Sequence, residues 1–160
     1  MTQRTKKAIL NGAVVLAVAG LSYAAGAAKA KTEPVTIPAG ELHWEAYAPG
    51  VPLQVAGLWG DRKKGGDYGM LLKLPAGFDS GMHAHTLDYF AVAVQGTWVH
   101  THEGETSAPD LGPGSYVMQP GKQFHSDACK GKQDCIVFIH QHGKGDYIPA
   151  KPAAPAPEKK

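Results

Sequence analysis

The stretch Gly77–Gly96, GFDSGMHAHTLDYFAVAVQG, decides the predicted fold. His83 and His85 stand two positions apart, and on a β-strand this spacing places both imidazole rings on one face. Two imidazoles on one rigid face form half of a transition-metal site. Surface histidines show the same spacing, so the surrounding sequence has to decide between the two interpretations.

Short segments rich in Val, Ile, Phe, Tyr and Trp surround this stretch, and Gly, Pro and Asp separate them. Almost none has the 3.6-residue apolar period of a helix. Residues 53–59 and 68–74 flank DRKKGGD and predict a hairpin. Residues 90–100, 115–119 and 135–140 are further strand candidates. Short strands at this spacing predict an all-β sandwich or barrel.

A second spaced pattern occurs in GSYVMQPGKQFH, residues 114–125. Together the two stretches resemble the motifs of the cupin superfamily, which are G-x5-H-x-H-x(3–4)-E-x6-G and G-x5-P-x-G-x2-H-x3-N. The matching positions are Gly77, His83, His85 and Gly96 in the first motif, and Gly114, Pro120 and His125 in the second. The resemblance covers about residues 53–142 and implies a single cupin-type jelly-roll β-barrel.

The sequence departs from the cupin motifs at three positions. Tyr89 occupies the place of the glutamate, four residues after His85. Gly121 follows Pro120 directly, where the family has one residue between, and Cys129 takes the place of the terminal asparagine. The first departure bears on the chemistry, because the glutamate is a metal ligand in the motif.

The resemblance implies a metal ion held by His83, His85 and His125, with one side open to a ligand. Tyr89 has the parity to face inward with them, but a phenol with a pKa of about 10 binds a divalent metal weakly. Asp88 is chemically the better ligand and has the wrong parity, so it reaches the metal only through a bulge. Three alternatives follow: a three-histidine site with Tyr89 as a hydrogen-bonding neighbour, Tyr89 or Asp88 as a fourth ligand, or a cupin without metal.

Histidine nitrogen suits zinc, copper, nickel and iron alike, and for an exported chain we expect zinc or copper on availability, followed by iron, manganese or nickel. The resemblance implies a metal-dependent dioxygenase, lyase or isomerase that acts on a small oxygen-rich molecule, with Tyr89 or Asp88 as the catalytic proton donor or acceptor. The alternative is a non-catalytic protein that binds a metal or small ligand. If Tyr89 faces inward, so do Ala91 and Ala93, and two small side chains leave room for an organic ligand.

The cysteines and two further histidines carry separate expectations. Cys129 and Cys135 are the only cysteines, and in an exported protein we expect them to form a disulfide; the rival interpretation is a thiolate metal ligand. His100 and His102 repeat the His-x-His spacing near a turn. There we expect a solvated strand end rather than a second metal site.

The N-terminal residues 1–30 have the layout of a secretory signal peptide. Basic residues precede an apolar run from Ala8 to about Tyr23, and a small-x-small pattern predicts cleavage after Ala30. The run is too short and too rich in Ala and Gly for a membrane span, which needs roughly 20 strongly apolar residues. We therefore expect a periplasmic or secreted protein without membrane attachment; an uncleaved anchor is the alternative.

Removal of the signal peptide changes the charge balance. The whole chain carries a formal charge of +2, and residues 1–30 contribute four basic and no acidic residues, so the remainder carries −2. Without a basic stripe, nucleic acid is not an expected partner. We expect a polar lead-in segment at residues 31–41, one cupin domain at 42–149 and a disordered Pro/Ala/Lys tail at 150–160. The resemblance to cupins, which often pair edge strands and so remove exposed edges, implies a homodimer.

Overall fold

The computed structural model describes residues 33–150, and the described residues from Ile37 onwards belong to one compact unit. The predicted signal peptide lies outside the described residues, as does the predicted tail from residue 151 onwards. Between residues 33 and 150 no helix is long and apolar enough to cross a membrane. A short 3-10 helix at Ala39–Glu41 falls in the predicted lead-in segment.

The described residues form an all-β fold of short antiparallel strands. The strands are Glu45–Ala46 (β1), Gln54–Trp59 (β2), Asp67–Leu74 (β3), His83–Ala84 (β4), Tyr89–Gln95 (β5), Thr97–His102 (β6), Asp110–Leu111 (β7), Tyr116–Gln119 (β8), His125–Lys130 (β9), Cys135–His142 (β10) and Ile148–Pro149 (β11). One sheet has the order β1-β2-β3-β10-β5-β8 and the other the order β11-β4-β9-β6-β7. The predicted all-β class and cupin-type jelly roll are confirmed.

The predicted hairpin is formed by β2 and β3, which pair antiparallel from Gln54 opposite Lys73 onwards. The side chains of β5 alternate between the core and the outer face, as predicted. Ala91 and Ala93 are 1% exposed, whereas Phe90 and Val94 are 42% and 47% exposed. One face of β5 therefore packs in the core and the other faces outward.

The prediction of one strand over residues 90–100 is wrong, because the chain turns at Gly96. Gly96 has a φ of 80°, and a Cβ there would lie 2.8 Å from the carbonyl oxygen of Asp134. Only glycine fits this turn without strain. The turn carries the chain from β5 in the six-stranded sheet to β6 in the five-stranded sheet. Strand β9, which the sequence did not predict, lies beside β6.

The core between the sheets contains Leu74, Trp98 and Val137, each at most 2% exposed. The predicted disulfide between Cys129 and Cys135 is present and joins β9 to β10. It therefore links the two sheets at the end of the core away from the histidines. Because both sulfurs are oxidised, the alternative of a thiolate metal ligand is wrong.

Candidate metal centre

The fold brings His83, His85 and His125 together. His83 begins β4, His85 follows that strand, and His125 begins β9 directly opposite His83. The ring centroids of His83 and His125 are 4.3 Å apart, and those of His85 lie 5.0 Å from His83 and 5.2 Å from His125. One ring nitrogen from each histidine lies within 4.8 Å of the other two.

The outer nitrogens of the three rings hydrogen-bond to the backbone, which fixes the inner nitrogens as acceptors. The Nδ1 atoms of His83 and His125 lie 3.0 and 3.2 Å from carbonyl oxygens, and Nδ1 of His85 contacts a third. These oxygens belong to Gly81 for His83, to Gln123 for His125 and to Asp146 for His85. A carbonyl only accepts, so each Nδ1 carries the proton and each Nε2 keeps its lone pair. This donor set fits a divalent transition metal.

Burial favours the neutral form of two of these rings, those of His85 and His125. The pKa of His125 is lowered from 6.5 to about 4, chiefly because the side chain is buried and also because His83 and His100 lie close. Burial is also the main reason that the pKa of His85 is lowered. Metal ligation requires neutral imidazole, so the site is ready for a metal ion at neutral pH.

Tyr89 lies beside the histidines, as its parity predicts. Its side chain is 4% exposed, and its hydroxyl is 3.2 Å from Nε2 of His125. Burial, together with the negative charge of Asp127, raises the pKa of Tyr89 well above its usual value. The phenol therefore stays protonated and acts as a hydrogen-bond donor within the cluster.

Asp88 lies away from the cluster. Its side chain is exposed, and Oδ1 accepts a hydrogen bond of 2.7 Å from the backbone N–H of Gly121. Asp88 is also not among the residues that line the cavity above the histidines. Of the two candidate catalytic residues, the structure places Tyr89 with the histidines and Asp88 at the outer surface.

A cavity of about 470 Å³ opens onto the histidines. Its polar floor consists of His83, His85, Tyr89 and Asp127. Its apolar walls include Val51, Pro52, Leu53, Met70, Leu72, Leu74, Phe78 and Ile139. Ala91 and Ala93 face inward as predicted but do not line this cavity. The volume lies in the range of pockets that bind small organic molecules.

Comparison with known proteins identifies the family. A family model described as a domain of unknown function, DUF4437, matches residues 27–159. The chain belongs to this family. No curated protein matches the chain in sequence.

Solved structures show that this DUF4437 protein shares its fold with cupin proteins. An RmlC-like cupin from Ralstonia eutropha is 24% identical, covers 72% of each chain and has a TM-score of 0.56. The DMSP lyase DddQ from Ruegeria pomeroyi is 17% identical over 71% of this chain and 63% of its own, with a TM-score of 0.57. The polyketide cyclase RemF from Streptomyces resistomycificus is 11% identical over 76% of this chain and 88% of its own, with a TM-score of 0.64. At these identities the likeness shows the fold.

Asp127 is a residue close to the histidines that the motif comparison missed. Its side chain is 16% exposed, and Oδ1 accepts hydrogen bonds from Nε1 of Trp98 at 2.9 Å and Nδ1 of His100 at 2.8 Å. Oδ2 lies 3.8 Å from Nε2 of His83 and 3.7 Å from Nε2 of His125. The available signal was its position two residues after His125, the same spacing that relates His83 to His85.

His100 is the second missed residue, and the expected solvated strand end is wrong for it. The side chain is 4% exposed, and its two ring nitrogens face Asp127 and, at 2.9 Å, Oε1 of Gln119. The amide nitrogen of Gln119 donates to two backbone carbonyls, so Oε1 must face the ring. His102 is exposed, as expected.

Because both neighbours of His100 accept, both of its ring nitrogens donate and the ring is an imidazolium. Burial acts to lower the pKa of His100, but the hydrogen bond and negative charge of Asp127 outweigh it and the pKa is raised. Burial likewise acts to raise the pKa of Asp127, and the hydrogen bond and charge of His100 lower it overall. His100 therefore has no lone pair for a metal, although it lies close to His125 and Asp127.

Proposed function

We propose that this protein is a metal-dependent enzyme of the lyase or isomerase type, with the metal held by His83, His85 and His125. The observation that carries the proposal is the convergence of ring nitrogens from His83, His85 and His125 beside a buried hydroxyl, with His83 and His85 lining a largely apolar cavity. Two of the solved structures named above, a lyase and a cyclase, are enzymes that share the fold. Zinc or copper is the first expectation for the metal, followed by iron, manganese or nickel.

When bound, the metal would supply a Lewis acid that polarises an oxygen atom of the substrate. The residues of the chain bind the substrate and exclude water. Tyr89 donates a hydrogen bond from its hydroxyl to the polar end of the substrate and is the acid closest to the histidines. The apolar walls exclude water, which strengthens electrostatic interactions at the floor.

The lining of the cavity makes the expected substrate more specific than an oxygen-rich molecule. We expect a substrate with an oxygen-bearing group at one end and an apolar remainder. Two polar side chains of the wall, Tyr68 and Gln141, are already paired with each other at 2.9 Å. The amide nitrogen of Gln141 also donates to the carbonyl of Lys144. They therefore offer little to a second oxygen-bearing group of a ligand.

The test begins with metal content. Protein purified after export is analysed by elemental mass spectrometry beside the His83→Ala/His125→Ala double variant. We expect about one equivalent of one transition metal in the wild type and none in the double variant. A wild-type protein that holds no metal, even after titration with zinc, copper, nickel, iron and manganese, would contradict the proposal.

The enzymatic part is tested by solvent deuterium exchange into a panel of ketones and 2-oxo acids, followed by proton NMR. We expect exchange with the wild type and loss of exchange in Tyr89→Phe with the metal retained. Tyr116→Phe serves as the matched control, because Tyr116 is 61% exposed. Equal exchange by both variants would remove Tyr89 from the chemistry.

A second candidate is a non-catalytic binding protein, and the carboxylates of the cavity favour it. Asp79, Asp127 and Asp146 line the cavity, and each already accepts hydrogen bonds from neighbouring residues. Each carboxylate among the described residues that line the cavity thus has at least one oxygen held by the protein, which makes it a weaker general base. Saturable binding of the same panel, without exchange or turnover in the metal-loaded protein, would select this function.

We also propose that the protein is exported and cleaved after Ala30. The layout of residues 1–30 supports export, and a disulfide between Cys129 and Cys135 suits an oxidising compartment. Intact mass spectrometry of the periplasmic protein is expected to show Lys31 as the first residue. A protein that keeps residues 1–30 and sediments with membranes would favour the anchor.

A homodimer formed through a sheet edge remains our proposal for the assembly. Strand β8 is the last strand of its sheet, and its outward side chains Tyr116 and Met118 are 61% and 39% exposed. Light scattering is expected to give the mass of a dimer for the wild type and of a monomer for Tyr116→Lys. A monomeric wild type at micromolar concentration would contradict the proposal.

A further inference from the structure

We propose that Asp127 supplies a fourth, carboxylate ligand to the metal centre, in place of the glutamate that the cupin motif would have at Tyr89. The inference rests on the proposed three-histidine site and adds a ligand from the second motif region, on β9. It assigns the anionic oxygen of the site to a residue two positions after His125.

The distances carry the first step. Zinc–nitrogen and zinc–oxygen bonds of about 2.0–2.2 Å place the donor atoms of a tetrahedral site about 3.4 Å apart. Oδ2 of Asp127 lies 3.8 Å from Nε2 of His83 and 3.7 Å from Nε2 of His125. Both distances from Oδ2 therefore exceed the spacing of metal ligands by only a few tenths of an ångström.

The orientation of the carboxylate carries the second step. Nε1 of Trp98 and Nδ1 of His100 both donate to Oδ1, and the backbone N–H of Asp127 is held by Oγ of Ser80 at 2.8 Å. Oδ2 makes no hydrogen bond to any residue of the described chain and lies closest to Nε2 of His83 and His125, and Asp127 lines the cavity. One oxygen is thus fixed by the protein and the other is directed at the histidine nitrogens, as in metal sites whose carboxylate ligands are oriented from behind.

The remaining oxygen groups near the site fit the role less well. Tyr89 offers a neutral hydroxyl that donates to Nε2 of His125, so it brings no negative charge. Asp88 is exposed and bound to the N–H of Gly121. Asp127 is therefore the carboxylate that the fold places at the histidines.

The test compares the affinities of the metal-free protein for Mn²⁺ and Ni²⁺, measured by calorimetry, in the wild type and in Asp127→Asn. The amide oxygen of asparagine can still accept from Trp98 and His100, while the second oxygen is replaced by a nitrogen that does not ligate. Manganese prefers carboxylate ligands and nickel accepts imidazole. We expect Mn²⁺ to bind at least about tenfold more weakly to the variant and Ni²⁺ to lose a smaller factor.

Asp88→Asn is the matched control, because it makes the same change at an exposed carboxylate and is expected to bind both metals as the wild type does. His83→Ala tests the underlying site and is expected to weaken both metals strongly. Wild-type affinities in Asp127→Asn, or equal losses for both metals, would overturn the fourth ligand and leave the three-histidine site standing. Failure of the wild type to bind either metal would instead overturn the proposed function.

Circular dichroism and retention of the disulfide establish that the variant folds. A crystal structure of the Mn²⁺-loaded wild type tests the proposal independently of any variant. We expect Oδ2 of Asp127 within bonding distance of the metal, about 2.0–2.3 Å. A metal bound by the histidines with Asp127 still more than 3 Å away would refute the proposal.

Discussion

The acid sensitivity of the metal-free protein follows from the burial of His125. The folded state holds the pKa of this fully buried ring at about 4, against 6.5 without the protein environment. Between these values the unfolded chain binds a proton that the folded chain does not, so the free energy of unfolding rises with pH by about 1.4 kcal/mol per pH unit. His125 therefore contributes about 3 kcal/mol of stability above pH 6.5, and this is lost as the pH falls to about 4.

The assay is urea unfolding, followed by tryptophan fluorescence, at half-unit steps from pH 4 to pH 7 with a chelator present. His125→Gln removes the titrating group, and we expect its stability to change with pH less steeply than that of the wild type, by up to about 1.4 kcal/mol per unit. His43→Gln is the control, because the side chain of His43 is exposed. Parallel curves for the wild type and His125→Gln across this range would refute the reasoning.

Two further predictions concern the frame around the site. Replacing Cys129 and Cys135 by serine opens a loop with a sequence separation of 6, and we expect the free energy of unfolding to fall by about 2 kcal/mol, measured by urea unfolding of the non-reduced proteins. Gly96→Ala places a Cβ against backbone atoms at a residue with positive φ. We expect it to lower the free energy of unfolding by about 1–3 kcal/mol. Gly104→Ala is its control, since Gly104 also has a positive φ but nothing within 4 Å of the added Cβ; thermal unfolding should show the larger loss at Gly96.

Local patterns were sufficient to predict half of the site. Strand parity follows from the backbone alone, so the sequence predicts that His83 and His85 share a face and that Tyr89 points inward. The motif spacing adds His125, which the pairing of β4 with β9 then places opposite His83. The disulfide also follows from short spacing and an expected oxidising compartment.

The other half depends on pairing between distant strands. HSDACK, residues 125–130, has little of the composition of a strand, and it forms β9 because β4 and β6 flank it in the sheet. The register of β6 against β9 sets His100 opposite Asp127, which spacing along the chain does not reveal. Polar residues near a turn indicate a solvated strand end, and here tertiary pairing buries His100 instead.

Tyr89 in the place of the motif glutamate and the carboxylate of Asp127 are best understood together. A glutamate in place of Tyr89 would add a second carboxylate close to that of Asp127, and two like charges in a buried site oppose each other's ionisation. With tyrosine there, the site keeps one negative charge, which is offset by the imidazolium of His100, and gains a neutral hydroxyl donor next to Nε2 of His125. A donor at this position stabilises negative charge that develops on a bound oxygen, whereas a carboxylate would repel it. The exchange therefore suits chemistry in which the substrate oxygen, rather than the protein, carries the charge that forms.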